Sequence, residues 1–403
     1  MDLIIRISIY LYIIHVIWTI IKASNRRTLY LWSPVIFLDV YFIENVLLSY
    51  LLVDNLSGEI YAFKYITLTG LFVGIVFHFL LYKYNFIEPE FYIPQQYVVT
   101  NEKRRKILNI CLLIVLLTGL ATGVTTTFLS GGNIEGMRRT EEVGIGFIRD
   151  IPIMILQISL LVYLFVDESP IKKKTIYVVL IAFVLFLSTG NKAIILSIST
   201  PYIIYLLLTY RGFKLWHYLS YKFLIPLVAG ILNGIRSADL SSIYTHTMNY
   251  LYSSVWLFEV NTYQIITQTE QQHAFLNGDE FIASTTRIIP RFLWPDKPMS
   301  YDYYYKELIN YEFEGGGTPM PYIYRFYTNF GYSFPIFYIL YFLIILYIYK
   351  YMHHCPRPLP ILMIALLMLS GSNGTPLNIA YYLQLLFLIS IVYKTFVSKK
   401  TII

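Results

Sequence analysis

Charge is scarce in this chain. Asp, Glu, Lys and Arg make up 14% of its 403 residues against 57% hydrophobic residues, and the mean hydropathy is +0.57. Soluble domains carry about 25% charge, so the balance excludes an ordinary soluble enzyme and implies a chain solvated largely by lipid. Cysteine is nearly absent. Cys111 lies in an apolar run and Cys355 beside a basic turn, which excludes a disulfide framework on an outer face. There is no Gly-x-x-x-x-Gly-Lys-Ser/Thr loop, no His-Glu-x-x-His pair, no Gly-x-Ser-x-Gly elbow and no Asp-x-Asp. These absences argue against a nucleotide-phosphate loop, a zinc protease, a serine hydrolase and metal-dependent use of nucleotide sugars, and no metal or other cofactor is expected. No fixed-period repeat or matched halves occur, which weighs against a transporter assembled from repeated halves. The first apolar run passes into Lys22 without a small-residue cleavage site, so a retained helix is expected rather than a signal peptide.

What is present is a succession of apolar runs, each long enough to cross a hydrocarbon core of about 30 Å as a helix. They fall near 3–21, 29–53, 60–82, 107–129, 147–166, 175–190, 193–210, 217–234, 327–349, 359–372 and 376–396. The expected fold is an all-α polytopic membrane protein of about 11 transmembrane helices with one large external loop. Basic clusters at Lys22/Arg26/Arg27, Lys103–Lys106, Lys172–Lys174, Arg211/Lys214, Lys350/Arg357 and Lys394/Lys399/Lys400 occupy every second connection. Cationic loops stay in the cytoplasm, so the C-terminus is expected inside and the N-terminus outside. The net charge of +7 then reflects topology and an anionic inner leaflet, not nucleic acid. Three parts result: helices over 1–233, an external loop over 234–326, and further helices with a cytoplasmic tail over 327–403.

A loop of this length between packed helices is uncommon without a function. Within it, Asn249–Ile266 is apolar enough to form a helix lying in the interface. Pro290, Pro295 and Pro298 restrict the following part to short rigid pieces. Arg287 and Arg291 share one helix face there if the Ile288–Ile289 turn is helical. The outward connections also hold Arg138, Arg139, Lys192, Arg236, Lys297 and Arg325. Such cations are out of place on that side unless an anion holds them, and guanidinium forks fit phosphate oxygens. The plainer alternative pairs them with lipid phosphates or with Glu135, Glu141, Glu142, Asp239 and Asp296. Lys192 follows Gly190 where a Ser-Thr-Gly-Asn-Lys string interrupts an apolar stretch; an exposed hairpin tip is its plain reading. Carboxylate pairs are weak, since the adjacent Asp279 and Glu280 diverge and Glu312 and Glu314 read as a solvated turn. His246 and His273 are possible bases, although a loop histidine is usually plain surface.

Arg287-x-x-Pro-Arg-x-x-Trp-Pro-x-Lys-Pro298, then Gly316-Gly-Thr-Pro319 and Tyr327-Thr-Asn-Phe-Gly331, resemble the oligosaccharide repeat-unit (O-antigen) polymerases of the Wzy type. Ser188–Lys192 and the Ser130-Gly-Gly132…Arg138 loop resemble two further landmarks of that family, and the order agrees over nearly the whole chain. The resemblance implies a GT-C-like membrane glycosyltransferase, related to the O-antigen ligases, in the bacterial inner membrane with its active site facing the periplasm. It implies transfer of a growing glycan from undecaprenyl diphosphate to an incoming lipid-linked repeat unit, without metal. A chain-length regulator and a flippase are the implied partners. Arg287, Arg291 and Arg236 take the catalytic roles, with Lys192, Arg138, Arg139, Lys297, Trp294 and Arg325 binding substrate. The ligases carry a His near the entry to the helix after the loop; here that stretch reads Thr318-Pro-Met-Pro321. The base is therefore open among Glu312, Glu314, Asp302 and His273. The rival readings are an O-antigen ligase acting on lipid A core, and a polysaccharide flippase or other transporter.

Overall fold

The structure is a computed structural model and describes residues 2–26, 34–52, 61–83, 170–189, 243–251, 262–286, 301–309 and 320–352, with isolated positions between them. Among the described residues all regular structure is helical and no strand occurs. The helices are α1 (Asp2–Arg26), α2 (Pro34–Phe42), α3 (Leu48–Leu52), α4 (Tyr61–Lys83), α5 (Ile171–Thr189), α6 (Ile243–Leu251), α7 (Tyr263–Gln272), α8 (Asp279–Thr285), α9 (Tyr301–Leu308), α10 (Tyr322–Phe330) and α11 (Phe334–Met352). A π turn over Ile43–Leu47 joins α2 to α3, and a 3-10 turn over Gly331–Ser333 joins α10 to α11.

Two of these helices, over Leu3–Ile21 and Tyr61–Leu80, are long and apolar enough to cross a membrane by length and composition. Their burial follows the helical period. Along α1, Ile5, Ile9, Tyr12 and Val16 point into the core, while Ile7, Leu11, Ile14, Trp18 and Ile21 are exposed. In α4, Phe63, Ile66, Val73 and Phe77 are buried, with Phe72, Ile75 and Phe79 exposed. A helix apolar on all sides lies in a large core or in lipid.

One hydrophobic cluster joins α1, α2, α3, α4, α7, α10 and α11. α4 packs on α1, α10 and α11, and α7 packs on α9 and α10. At the centre is α10, every one of whose residues from Tyr322 to Asn329 is buried. Its surroundings are aromatic: Phe326 meets Tyr338 and Tyr341 at 5.5 Å, and Tyr327 meets Phe334 at 5.7 Å between centroids. Such edge and tilted pairs add about 0.5–1.5 kcal/mol each beyond area burial.

The apolar run over 327–349 is not one continuous helix. Gly331 has φ +53 and ψ −137, which a Cβ disfavours, and α10 ends there before α11 begins at Phe334. Tyr322–Arg325, at the end of the expected external loop, is buried. Lys174, from one of the expected cytoplasmic clusters, turns inward and donates to the Leu164 carbonyl at 2.7 Å. Within Asn249–Ile266, α6 ends at Leu251 and α7 begins at Tyr263; the stretch between them lies outside the described residues, as do most of the runs at 107–129, 147–166, 193–210, 217–234, 359–372 and 376–396.

Gly70 sets the closest approach of α4 to α2 and α10. A Cβ there lies 2.3 Å from Phe42 Cζ and 2.9 Å from Ile323 Cδ1, and both partners are buried. Gly70→Val is expected to destabilise the purified protein in detergent by about 1–3 kcal/mol through overpacking. Phe72→Leu, on the exposed face of α4, is expected to leave the thermal midpoint unchanged.

Candidate functional site

Helix α10 presents Arg325, Thr328 and Asn329 at i, i+3 and i+4, on one face. That face meets Glu280 in the first turn of α8, where the helix N-terminus favours a carboxylate. Arg325 Nη1 and Glu280 Oε1 form a close ion pair, with both side chains nearly inaccessible to solvent. Glu280 Oε2 accepts from Tyr305 Oη of α9 at 3.0 Å and from Asn329 Nδ2 at 2.7 Å. The network closes on backbone, with Arg325 Nε donating to the Met320 carbonyl at 3.3 Å and Asn329 Nδ2 to the Arg325 carbonyl at 2.8 Å. Tyr305 Oη also lies 2.7 Å from Thr328 Oγ1, and the Arg325 guanidinium sits 5.9 Å from the Tyr305 ring centroid. Burial, reinforced by the Glu280 carboxylate, holds the Tyr305 phenol well above its ordinary range. It therefore stays protonated and donates to Glu280 at any physiological pH.

Chemically this arrangement is a clamp. Three donors, from Arg325, Tyr305 and Asn329, occupy Glu280. Arg325 was expected among the outward cations that bind substrate; it is instead 4% exposed and neutralised by Glu280. The clamp joins α8, α9 and α10, and the segment carrying Arg287-to-Pro298 runs from α8 into α9.

Other expected site residues are dispersed. His273 ends α7 with φ 51 and is exposed. Asp302 lies in the first turn of α9, and Trp294 is half-buried in irregular chain. α8 stops at Thr285, Thr286 is a turn and Ile289 a bend whose N–H reaches back to the Thr286 carbonyl at 2.9 Å. A continuous helix does not carry α8 through Ile289 towards Arg291. Arg138, Arg139, Lys192, Arg236, Arg287, Arg291, Lys297, Glu312 and Glu314 lie outside the described residues. Among the described residues no cluster of His, Cys, Asp and Glu suits a metal ion.

A second buried polar cluster ties α1, α2 and α4 together. Asp39 Oδ1 accepts from Tyr12 Oη at 2.7 Å, and Asp39 Oδ2 pairs with His78 Nε2 at 2.6 Å. His78 Nδ1 lies 3.3 Å from His15 Nε2. Sequence reasoning gave these residues no role, although the signal was there: Asp39, His78 and His15 each interrupt an apolar run, where an ionisable group is costly and needs a partner. The π turn that follows Asp39 by four residues marks the same place in α2.

The chain matches no family model, no curated protein and no solved structure.

Removing one partner of a buried ion pair strands the other charge. Arg325→Met alone is expected to cost about 3–5 kcal/mol. Adding Glu280→Gln to it should recover a large share. Thermal unfolding of the four proteins in a double-mutant cycle gives the coupling, and additive effects would show that the pair is not the clamp.

Proposed function

We propose that this protein is a polytopic inner-membrane glycosyltransferase. It polymerises undecaprenyl-diphosphate-linked oligosaccharide repeat units on the periplasmic face, without metal. Membrane placement is supported by the apolar faces that α1, α4 and α11 leave exposed opposite their buried faces. The alternating basic clusters support about 11 spans in a GT-C-like arrangement, with 234–326 outside.

The observation that carries the reading is the anchoring of the cationic segment. Arg287, Arg291 and Lys297 lie in the connection between α8 and α9, and Glu280 on α8 and Tyr305 on α9 meet on one face of α10. A segment held at both ends loses little entropy when it closes on a diphosphate, which is how preorganised sites gain affinity. Nucleotide sugars are unavailable outside the cell, so the glycosyl donor must carry its own leaving group. As the bond from the anomeric carbon to the phosphate oxygen breaks, charge grows on the lipid diphosphate. Arg287 and Arg291 stabilise it, and Arg236, Lys192 and Arg138 or Arg139 complete the cationic site. An acceptor hydroxyl attacks the anomeric carbon to form the new glycosidic bond, and its proton passes to a base among Glu312, Glu314, Asp302 and His273. Trp294 and Lys297, on the same segment as Arg287 and Arg291, bind substrate beside them. Arg325 does not bind substrate in this scheme; it positions the segment through Glu280.

Arg291→Ala is expected to leave the protein in the membrane, lower elongation by about 10²-fold or more and collapse the long-chain glycan ladder to single repeat units. Purified protein given only the lipid-linked repeat unit should elongate it with EDTA present. A requirement for lipid A core as acceptor would mean a ligase, and a normal ladder from Arg291→Ala would remove that residue from the mechanism.

A further inference from the structure

The N-terminus of α4 and the turn after α10 come together in a group of tyrosines organised around one carboxylate. Tyr332, in the 3-10 turn, is 51% exposed, and Tyr61, the first residue of α4, is 64% exposed. Tyr65 lies between them, with centroids 6.3 Å from Tyr61 at 13° and 5.6 Å from Tyr332 at 47°. The hydroxyls of Tyr65 and Tyr332 bond within the protein. Tyr65 Oη donates to the Tyr332 carbonyl at 2.8 Å, and Tyr332 Oη donates to Glu270 Oε2 at 3.3 Å. Glu270 Oε1 accepts from Tyr327 Oη in a close contact. Glu270 is half-buried near the end of α7.

Tyrosines that merely sit at a membrane interface use their hydroxyls for water and headgroups. Here the hydroxyls of Tyr65 and Tyr332 are spent within the protein, which fixes the rings in place while Tyr61 and Tyr332 keep exposed surface. The carboxylate decides what fits. An ionised carboxylate accepts about four hydrogen bonds, and two tyrosines occupy two of these positions. The rest suit hydroxyl donors, through charge-assisted bonds stronger than neutral ones. A phosphate or an anionic headgroup meets like charge at the same place and is disfavoured. A ligand that offers C–H faces to aromatic rings and hydroxyls to a carboxylate is a neutral sugar.

We propose that Tyr61, Tyr65, Tyr332 and Glu270 form a saccharide-binding platform, which receives the glycan part of the substrate and not its diphosphate. This rests on the glycosyltransferase reading for the identity of the sugar, but the binding chemistry stands without it. The division of labour follows from charge: cations on the 287–298 segment take the diphosphate, and the tyrosine–carboxylate platform takes the sugars.

The test uses full-length protein in lipid nanodiscs and, as probe, neutral oligosaccharides of one to three repeat units, cut by mild acid from the surface polysaccharide of the host. Saturation-transfer NMR is expected to show transfer from protein aromatic protons to sugar C–H protons. Tyr61→Ala and Tyr332→Ala should each weaken Kd about tenfold, the effect of losing roughly 1.4 kcal/mol. Tyr61 is 64% exposed, so its variant is a check that does not depend on refolding. Glu270→Gln should weaken binding with fold retained, while Tyr332→Phe keeps the ring and should bind within about twofold of the parent. Absence of transfer to any oligosaccharide, or equal binding by the alanine variants, overturns the platform. The two readings fail separately. Elongation by Tyr61→Ala and Tyr332→Ala with unchanged KM for the acceptor removes the platform and leaves the polymerase. Sugar binding by a protein that never elongates lipid-linked repeat unit removes the polymerase and leaves the platform.

Discussion

A carboxylate buried on α8 needs a cation, and the one it meets lies 45 residues away on α10. Burying Glu280 alone carries a desolvation cost that no hydrophobic contact repays; pairing it with Arg325 and giving it Tyr305 and Asn329 as further donors makes its burial tolerable. Because those donors come from α9 and α10, satisfying one carboxylate of α8 fixes the three helices relative to each other. The polar network thereby specifies an arrangement that tyrosines and phenylalanines alone would leave loosely determined.

That arrangement rests on a wall of N-terminal helix. α4 receives α10 at Gly70, where the lack of a side chain lets Phe42 and Ile323 close over it. α1, α2 and α4 are stitched by Asp39, His78, His15 and Tyr12, a second buried polar cluster. Residues near the start of the chain therefore support the segment that carries the candidate chemistry. The N-terminal end of α4 and the turn after α10 meet at Tyr65 and Tyr332, so the packing of α4 on α10 serves both stability and the proposed sugar platform.

Helical periodicity is a local property, and it was legible. The runs at 3–21 and 60–82 coincide with α1 and α4, and that at 175–190 with most of α5. The run at 29–53 contains α2, the π turn and α3, and periodicity gave no sign of the widened turn. The run at 327–349 was misread because composition stays apolar through Gly331, whereas the backbone there is left-handed and ends the helix. Arg325 was misread for a different reason. As a letter it is one more cation near an outward loop; its partner is identifiable only when α8 is folded against α10.

The sequence by itself determined the all-helical character of the described residues, the lipid-like composition of the long helices, and the segment in which cations and prolines concentrate. These follow from neighbours a few residues apart, whose periodicity and turn chemistry act locally. The tertiary structure decided which charges are spent on the fold, that Tyr322–Asn329 is buried at the centre of the packing, and that Tyr332 is joined to Glu270. Burial and charge pairing depend on distance in space, and a carboxylate and a guanidinium 45 residues apart leave no trace of their pairing in the order of the letters.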